Sequence, residues 1–287
     1  MTEQRALTGQ VAVVTGASRG IGKGIAVELG AAGAVVYLTG RSVDAGPIPG
    51  TVGATVAEIE ELGGTATGVR CDHHVDAEVE ALFDRIRSEQ GRLDVLVNNV
   101  YSSPDLAQWL GKPFWELPVE AWDEVIDIGV RSHYVAARLG VPMMLDQGSG
   151  LIVNVSSSGA IQYAHTVSYG VGKAALDKMT ADMAHELEPR NVAVVSIWPG
   201  LVRTELVLSG ARRTDDGRAV LDLPGEGTFD LDDAESPRFT GRGVVALASD
   251  PKVLARTGQA FPVADLARDY GFTDVDGKTP QVLLRSE

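Results

Sequence analysis

The chain has 287 residues, 44% hydrophobic and 22% charged, a balance that excludes a disordered polymer and suits a globular protein with a substantial core. A formal charge of -14 argues against nucleic acid or an anionic membrane as partner, because lysine and arginine carry phosphate-backbone affinity. The single cysteine, Cys71, excludes an internal disulfide framework and a cysteine-rich zinc site; with no long apolar run and no leader-like start, the expected location is the cytoplasm.

The predicted elements alternate. "VAVVT" (11–15) reads as a strand, followed by a glycine turn and by Ile21, Ile25 and Leu29 at helical spacing, stopped at Gly33. "VVYLT" (35–39), a helix over 52–62, "ATGVR" (66–70), a helix over 76–90 and "LDVLV" (93–97) continue the rhythm. Later strands are "LIVNV" (151–155), "VAVVSI" (192–197) and "QAFPV" (259–263). Runs apolar throughout suit strands covered on both faces. The expected fold is therefore one α/β domain over 1–287, a Rossmann-type doubly wound parallel sheet in three αβα layers.

Two segments interrupt the pattern. Residues 101–122 carry three of the four tryptophans between prolines, and residues 205–240 are long, glycine-rich and acidic. Loops of this length are commonly functional, so both are expected to border a substrate site. Of Trp109, Phe114, Trp115 and Trp122, at least two are expected in the core.

"TGASRGIG" (15–22) stands between the first strand and the first helix, where Gly16, Gly20 and Gly22 let the backbone approach a pyrophosphate at a helix N-terminus. The spacing is neither G-x-G-x-x-G nor a phosphate loop. At the end of the second strand, "YLTGRS" offers no carboxylate for ribose hydroxyls, whereas Arg41 stands there and Arg19 lies in the turn. Two guanidiniums suit a 2′-phosphate, so NADP(H) is the preferred cofactor, with NAD(H) as the alternative. "SYGVGKAA" (168–175) mimics a phosphate loop, but Val167 occupies the required earlier glycine and Ala174 the magnesium-binding hydroxyl. What remains is Tyr169 and Lys173 on one helix face. The five histidines show no metal-ligand spacing, so no metal is expected.

With "TGASRGIG", "LDVLVNN", "SYGVGK" and "PGLVRT" in this order, the chain resembles the short-chain dehydrogenase/reductase family over most of its length. The resemblance implies hydride transfer between a nicotinamide and a small carbonyl or alcohol, with Tyr169 as general acid and Lys173 tuning it. It assigns Gly16, Ser18, Arg19, Gly20, Ile21 and Gly22 to the pyrophosphate, Arg41 to the adenosine ribose, Asp72 to the adenine and Asn98 to the strand end beside the adenosine half. Pro199, Gly200, Val202 and Thr204 fall along the nicotinamide. For the catalytic serine, the strand register of "LIVNVSS" selects Ser157, whereas the commonest separation from the tyrosine selects Ser156; a paired strand resists slippage better than a loop, which favours Ser157. Family members commonly pair through the tyrosine-bearing helix and a late helix, here 236–249, so a homodimer or homotetramer is expected.

Two departures accompany the resemblance. The family's "NNAG" reads "NNVY", placing Val100 and Tyr101 where small residues normally stand, and Gly129 takes the place of a catalytic asparagine that holds a water near the lysine. A backbone carbonyl survives the glycine, so the expected water remains. These departures keep open a second reading, a nucleotide-sensing protein that retained the fold and lost catalysis. A sugar-nucleotide epimerase would call for a larger substrate domain than the chain can supply.

Overall fold

Seven parallel strands form the central sheet of the computed structural model, which describes residues 5–102 and 106–281. In chain order the elements are β1 (Val11–Val14), α1 (Gly20–Ala31), β2 (Val35–Gly40), α2 (Val52–Glu61), β3 (Thr65–Arg70), α3 (Asp76–Gln90), β4 (Val95–Asn98), α4 (Leu106–Trp109), α5 (Glu120–Ile126), α6 (Ser132–Gln147), β5 (Gly150–Val155), α7 (Val167–Leu187), β6 (Val192–Trp198), α8 (Glu205–Ser209), β7 (Arg212–Arg213), β8 (Ala219–Leu223), β9 (Gly227–Asp230), α9 (Pro237–Ser249), β10 (Ala260–Pro262) and α10 (Val263–Tyr270). The strand order is β10-β6-β5-β4-β1-β2-β3. It reverses direction between β1 and β4, the position at which an open α/β sheet forms its ligand crevice.

The apolar strand runs are buried on both faces, as a parallel sheet requires. On one side Ile25, Leu29, Ile59, Phe239, Val244 and Leu266 bring α1, α2, α9 and α10 against the sheet. On the other, Val79, Phe83, Ala136, Met144, Ala184 and Leu187 bring α3, α6 and α7. Expected and observed elements agree within a residue or two. Among the described residues, no helix is long and apolar enough to cross a membrane.

The two irregular segments differ from their expectation. Residues 205–240 are not a structureless loop: α8 leads into a three-stranded antiparallel sheet, β7-β8-β9, which buries Leu221, Leu231 and Ala234 in its own small cluster. The other segment, of which 103–105 lie outside the described residues, forms α4, a 3-10 turn at Phe114–Glu116 and α5. Its aromatic residues are mostly outside. Trp109 is buried, but Phe114, Trp115 and Trp122 are 62%, 72% and 44% exposed, so one of the four packs inward rather than the expected two. Phe114 and Trp115 instead meet edge to face with each other. In α7, Gly170 and Gly172 face the Gly159 carbonyl and Val125 of α5 respectively.

Candidate active site

Gly16 begins the turn after β1 with φ +68, a left-handed conformation that glycine adopts without penalty. A Cβ there would lie 2.7 Å from the Val100 backbone, so the turn can hug the end of β4 only because the side chain is absent. Asn99 locks the contact, its Nδ2 donating to the Thr15 and Gly16 carbonyls at 2.9 and 3.0 Å. The turn delivers the N-terminus of α1 into a cleft of about 490 Å³.

Gly16, Ser18, Arg19, Gly20, Ile21 and Gly22 all line this cleft, with Arg41 and Asp72 toward one end and Pro199, Gly200 and Thr204 toward the other. The Gly20 N–H donates to the Glu205 carboxylate at 2.7 Å. That carboxylate stands in for the anion that unsatisfied amides at a helix start attract, and so shows the position to fit a phosphate group. Arg19 donates through Nη2 to Ser42 Oγ and the Gly50 carbonyl, both at 2.9 Å, while its Nε is shielded from solvent with no partner among the described residues. A buried guanidinium N–H of this kind costs free energy until an acceptor reaches it. Arg41 stays exposed, its Nη2 donating to Ser102 Oγ at 3.4 Å. The Asp72 carboxylate accepts from the backbone and ring of His74 at 3.1 and 3.0 Å. The cleft therefore fits a dinucleotide at its anionic centre and at its adenosine end.

At the other end, Thr166 caps α7 by accepting from the Tyr169 N–H at 3.2 Å, which fixes the helix start on which the tyrosine rides. The Tyr169 hydroxyl donates to Ser157 Oγ at 3.0 Å, and the Gly159 N–H donates to the same oxygen at 3.1 Å. With two bonds accepted, Ser157 keeps its own O–H to offer elsewhere. Ser156 points away, donating to the Lys173 carbonyl at 3.1 Å. Only Ser157 of the two thus meets the tyrosine hydroxyl. Lys173 donates to the Val155 carbonyl at 3.0 Å, and its Nζ lies 5.6 Å from the Tyr169 ring centroid rather than against the phenol oxygen. Burial raises the Tyr169 phenol above its ordinary value and lowers the Lys173 ammonium to about 8.

A second cavity of about 270 Å³ opens from Ser157 and Tyr169 toward β8 and β9, walled by Tyr163, Trp198, Leu201, Leu223 and Phe229. His165, in a left-handed conformation with φ +57, stands between the two spaces. Its ring lies edge-on to Tyr169, with centroids 4.7 Å apart, and its Nδ1 and backbone N–H both donate to Glu226, at 2.9 and 2.7 Å.

Glu235 supports the cavity floor. Its backbone bonds both Leu201 and Arg203, and its carboxylate accepts from the Gly200 N–H at 3.0 Å. Burial raises this carboxyl to about 8, so it is protonated at neutral pH. Because the folded-state value lies above the unfolded one, the folded state holds the proton that the unfolded state releases above about pH 4.5. The resulting stability is lost as pH rises through about 8. Glu235→Gln keeps the acceptor and removes the titration. Relative to the variant, wild type is expected to lose about 3 kcal/mol between pH 5 and pH 8, read from urea unfolding at each pH. Parallel curves would show that Glu235 does not titrate in this window.

Two expected residues lie elsewhere. Asn98 is fully buried beneath the cleft, donating to Asn154 Oδ1 at 3.0 Å, and Asn154 in turn donates to Thr180 of α7 at 2.8 Å. Its neighbour Asn99 lines the cleft instead. Val202 is buried against Glu235 in an isolated parallel bridge. Both support the cleft from behind. Glu205, Glu226 and Glu235 were not expected: each meets its partner over a sequence distance of 35 residues or more, which no local pattern reveals. Cys71 is buried, its thiol pushed by burial up to about 12, and it lines the cleft as an inert wall. Among the described residues, no three histidine, cysteine, aspartate or glutamate side chains are grouped to hold a metal ion.

A glycine turn at the switch point of a doubly wound sheet, with a serine, a tyrosine and a lysine converging beyond it, defines a dinucleotide-linked oxidoreductase. The chain belongs to the short-chain dehydrogenase family, whose profile matches residues 10–214. It is thereby an oxidoreductase acting on CH–OH or C=O groups. It is 46% identical to Dehydrogenase/reductase SDR family member 1 of Homo sapiens over 282 residues, covering 97% of this chain and 87% of that protein. Among solved structures it resembles a metagenomic short-chain oxidoreductase in complex with NADP, with TM-score 0.69 and 30% identity over 90% of this chain and 99% of that one. It also resembles a 7α-hydroxysteroid dehydrogenase complexed with NADH and 7-oxo glycochenodeoxycholic acid, with TM-score 0.73 and 26% identity over 98% and 99%.

Proposed function

We propose that the protein is an NADP(H)-dependent carbonyl reductase or alcohol dehydrogenase for small, uncharged ketones and aldehydes or the corresponding alcohols. The observation that carries this reading is the 3.0 Å contact between the Tyr169 hydroxyl and Ser157 Oγ at the junction of the cleft and the apolar cavity. The turn from Gly16 to Gly22 would hold the dinucleotide, with Arg41 toward its adenosine and Pro199, Gly200 and Thr204 toward its nicotinamide, and the reduced form would supply a hydride to the carbonyl carbon. Ser157 donates its remaining O–H to the substrate oxygen and so orients the carbonyl. Tyr169 transfers its proton to that oxygen as charge develops there. Lys173 keeps two N–H groups beyond the one on Val155 for the nicotinamide ribose, and its positive charge eases loss of the tyrosine proton. In the oxidative direction Tyr169 accepts the proton. The cavity is lined mostly by aromatic and aliphatic side chains, its Glu226 is engaged by His165 and its Glu235 is held neutral by burial, which supports an uncharged substrate.

The preference for NADP(H) rests on Arg19 and Arg41 and is supported by the NADP complex of a structural relative. NAD(H) is the weaker alternative. Arg41→Ala is expected to raise the KM for NADPH about tenfold or more, the size of one charge-assisted bond, with less than a threefold change for NADH. Equal effects on both cofactors in steady-state assays with a ketone panel would remove the basis for the preference. The family resemblance read from the sequence implies a homodimer or homotetramer built through α7, where Val167 and Val171 are exposed, and α9.

A further inference from the structure

We propose that Tyr101 is a positioning residue whose ring seats the Lys173 ammonium beside Tyr169, and that position 129 holds a small residue because this ring lies across it. The inference rests on the oxidoreductase reading and explains the two departures of the sequence as one structural unit. Tyr101 lies in the turn that follows β4, and the preceding carbonyl, of Val100, accepts from His133 Nε2 at 2.9 Å. The ring stands edge-on to Tyr169, at 6.0 Å between centroids and 85° between planes. The Lys173 Nζ lies 5.4 Å from the Tyr101 centroid, within the range where a ring face attracts a cation. At Gly129, a Cβ would meet the Tyr101 ring carbons at 3.5 and 3.8 Å. That is ordinary contact for alanine, but the next carbon of a longer side chain would enter the ring.

The groups that face Lys173 are few. Asp177 and Tyr169 act from its own helix, His133 from α6 and Tyr101 from the turn after β4. Burial lowers His133 to about 3, so it is neutral through the assay range, and His165 with Glu226 acts on the far side of Tyr169. An aromatic face favours the ammonium. Replacing it by an aliphatic side chain leaves the amine equally desolvated without that attraction, so the amine loses its proton at lower pH.

The test is the pH profile of NADPH-dependent ketone reduction for Tyr101→Phe, Tyr101→Leu, Gly129→Ala and Gly129→Leu. Tyr101→Phe and Gly129→Ala are expected to keep the wild-type profile. Tyr101→Leu and Gly129→Leu are expected to move the basic limb down by about one pH unit and to lower kcat at alkaline pH about tenfold. The double variant Tyr101→Leu/Gly129→Leu is expected to be no worse than either single change, because both displace the same ring. A second readout is the pH dependence of trace acylation of Lys173, followed by mass spectrometry, which needs no turnover. The same downward shift is expected there in Tyr101→Leu. An unchanged acylation profile in a folded Tyr101→Leu protein, or a shift as large in Tyr101→Phe, overturns the role of the ring. A wild-type protein that reduces no carbonyl would count against the enzymatic reading alone, since the acylation shift tests the seat separately.

Discussion

Replacing Tyr169 by phenylalanine is expected to lower kcat about a thousandfold, within the range for loss of a general acid, with NADPH affinity changed less than about threefold. The ring keeps its edge contacts with His165 and Tyr101, so only the hydroxyl and its 3.0 Å bond to Ser157 are lost. Stopped-flow turnover beside fluorescence titration of NADPH separates the two quantities. A variant within tenfold of wild type would transfer the proton to another group, with His165, edge-on to the tyrosine ring, as one candidate. Ser157→Ala is the companion change, because Ser157 Oγ accepts from Tyr169 and Gly159 and keeps its own O–H for the substrate.

Gly24→Ala is expected to have the largest effect on stability. Helix α1 and helix α9 touch backbone to backbone: a Cβ at Gly24 would lie 2.1 Å from the Pro237 carbonyl oxygen, and one at Gly241 would lie 2.5 Å from the Gly24 oxygen. Alanine gains about 1 kcal/mol of helix propensity over glycine. Overpacking against a backbone atom costs about 1–3 kcal/mol and sometimes more, and no side chain can rotate away to relieve it. The steric effect therefore wins, with an expected fall of roughly 5 °C or more in the thermal midpoint. Cofactor affinity should fall too, since α1 carries the anion-binding amides. Gly53→Ala in α2 is the control: nothing lies within 4 Å of its Cβ, so propensity alone acts and the protein should gain up to about 1 kcal/mol. Similar midpoints for the two variants would contradict the close helix approach.

The strands and crossover helices were legible because their signals are local: uninterrupted β-branched runs, glycine stops and apolar spacing. The Tyr169–Lys173 pair was legible for the same reason, one helix face at one spacing. Side-chain direction at strand ends was harder to read, because successive residues point to opposite faces. At the end of β4 this sends Asn98 into the sheet toward Asn154 and Asn99 into the cleft; beyond β5 it sends Ser156 toward Lys173 and Ser157 toward Tyr169. The β7-β8-β9 sheet has only a weak local signal because its strands are two to five residues long and carry exposed charges, such as Arg212 bridged to Asp222 across the ladder. The tryptophans differ from expectation for a related reason: hydrophobicity predicts burial on average, whereas Trp115 sits exposed on a short turn. The long-range contacts of Glu205 and Glu226 have no local signature at all.

Hydride transfer from the dinucleotide to a carbonyl carbon is the central claim, and isotope transfer tests it most directly. With NADPH deuterated at the transferable position of the nicotinamide and a small uncharged aryl ketone, the product alcohol should carry one deuterium on its carbinol carbon by mass spectrometry. The yield should match the cofactor consumed, and Tyr169→Phe should slow its appearance in step with kcat. Tight NADPH binding with no labelled alcohol from any ketone or aldehyde would contradict the account and favour a protein that senses the nucleotide without using it.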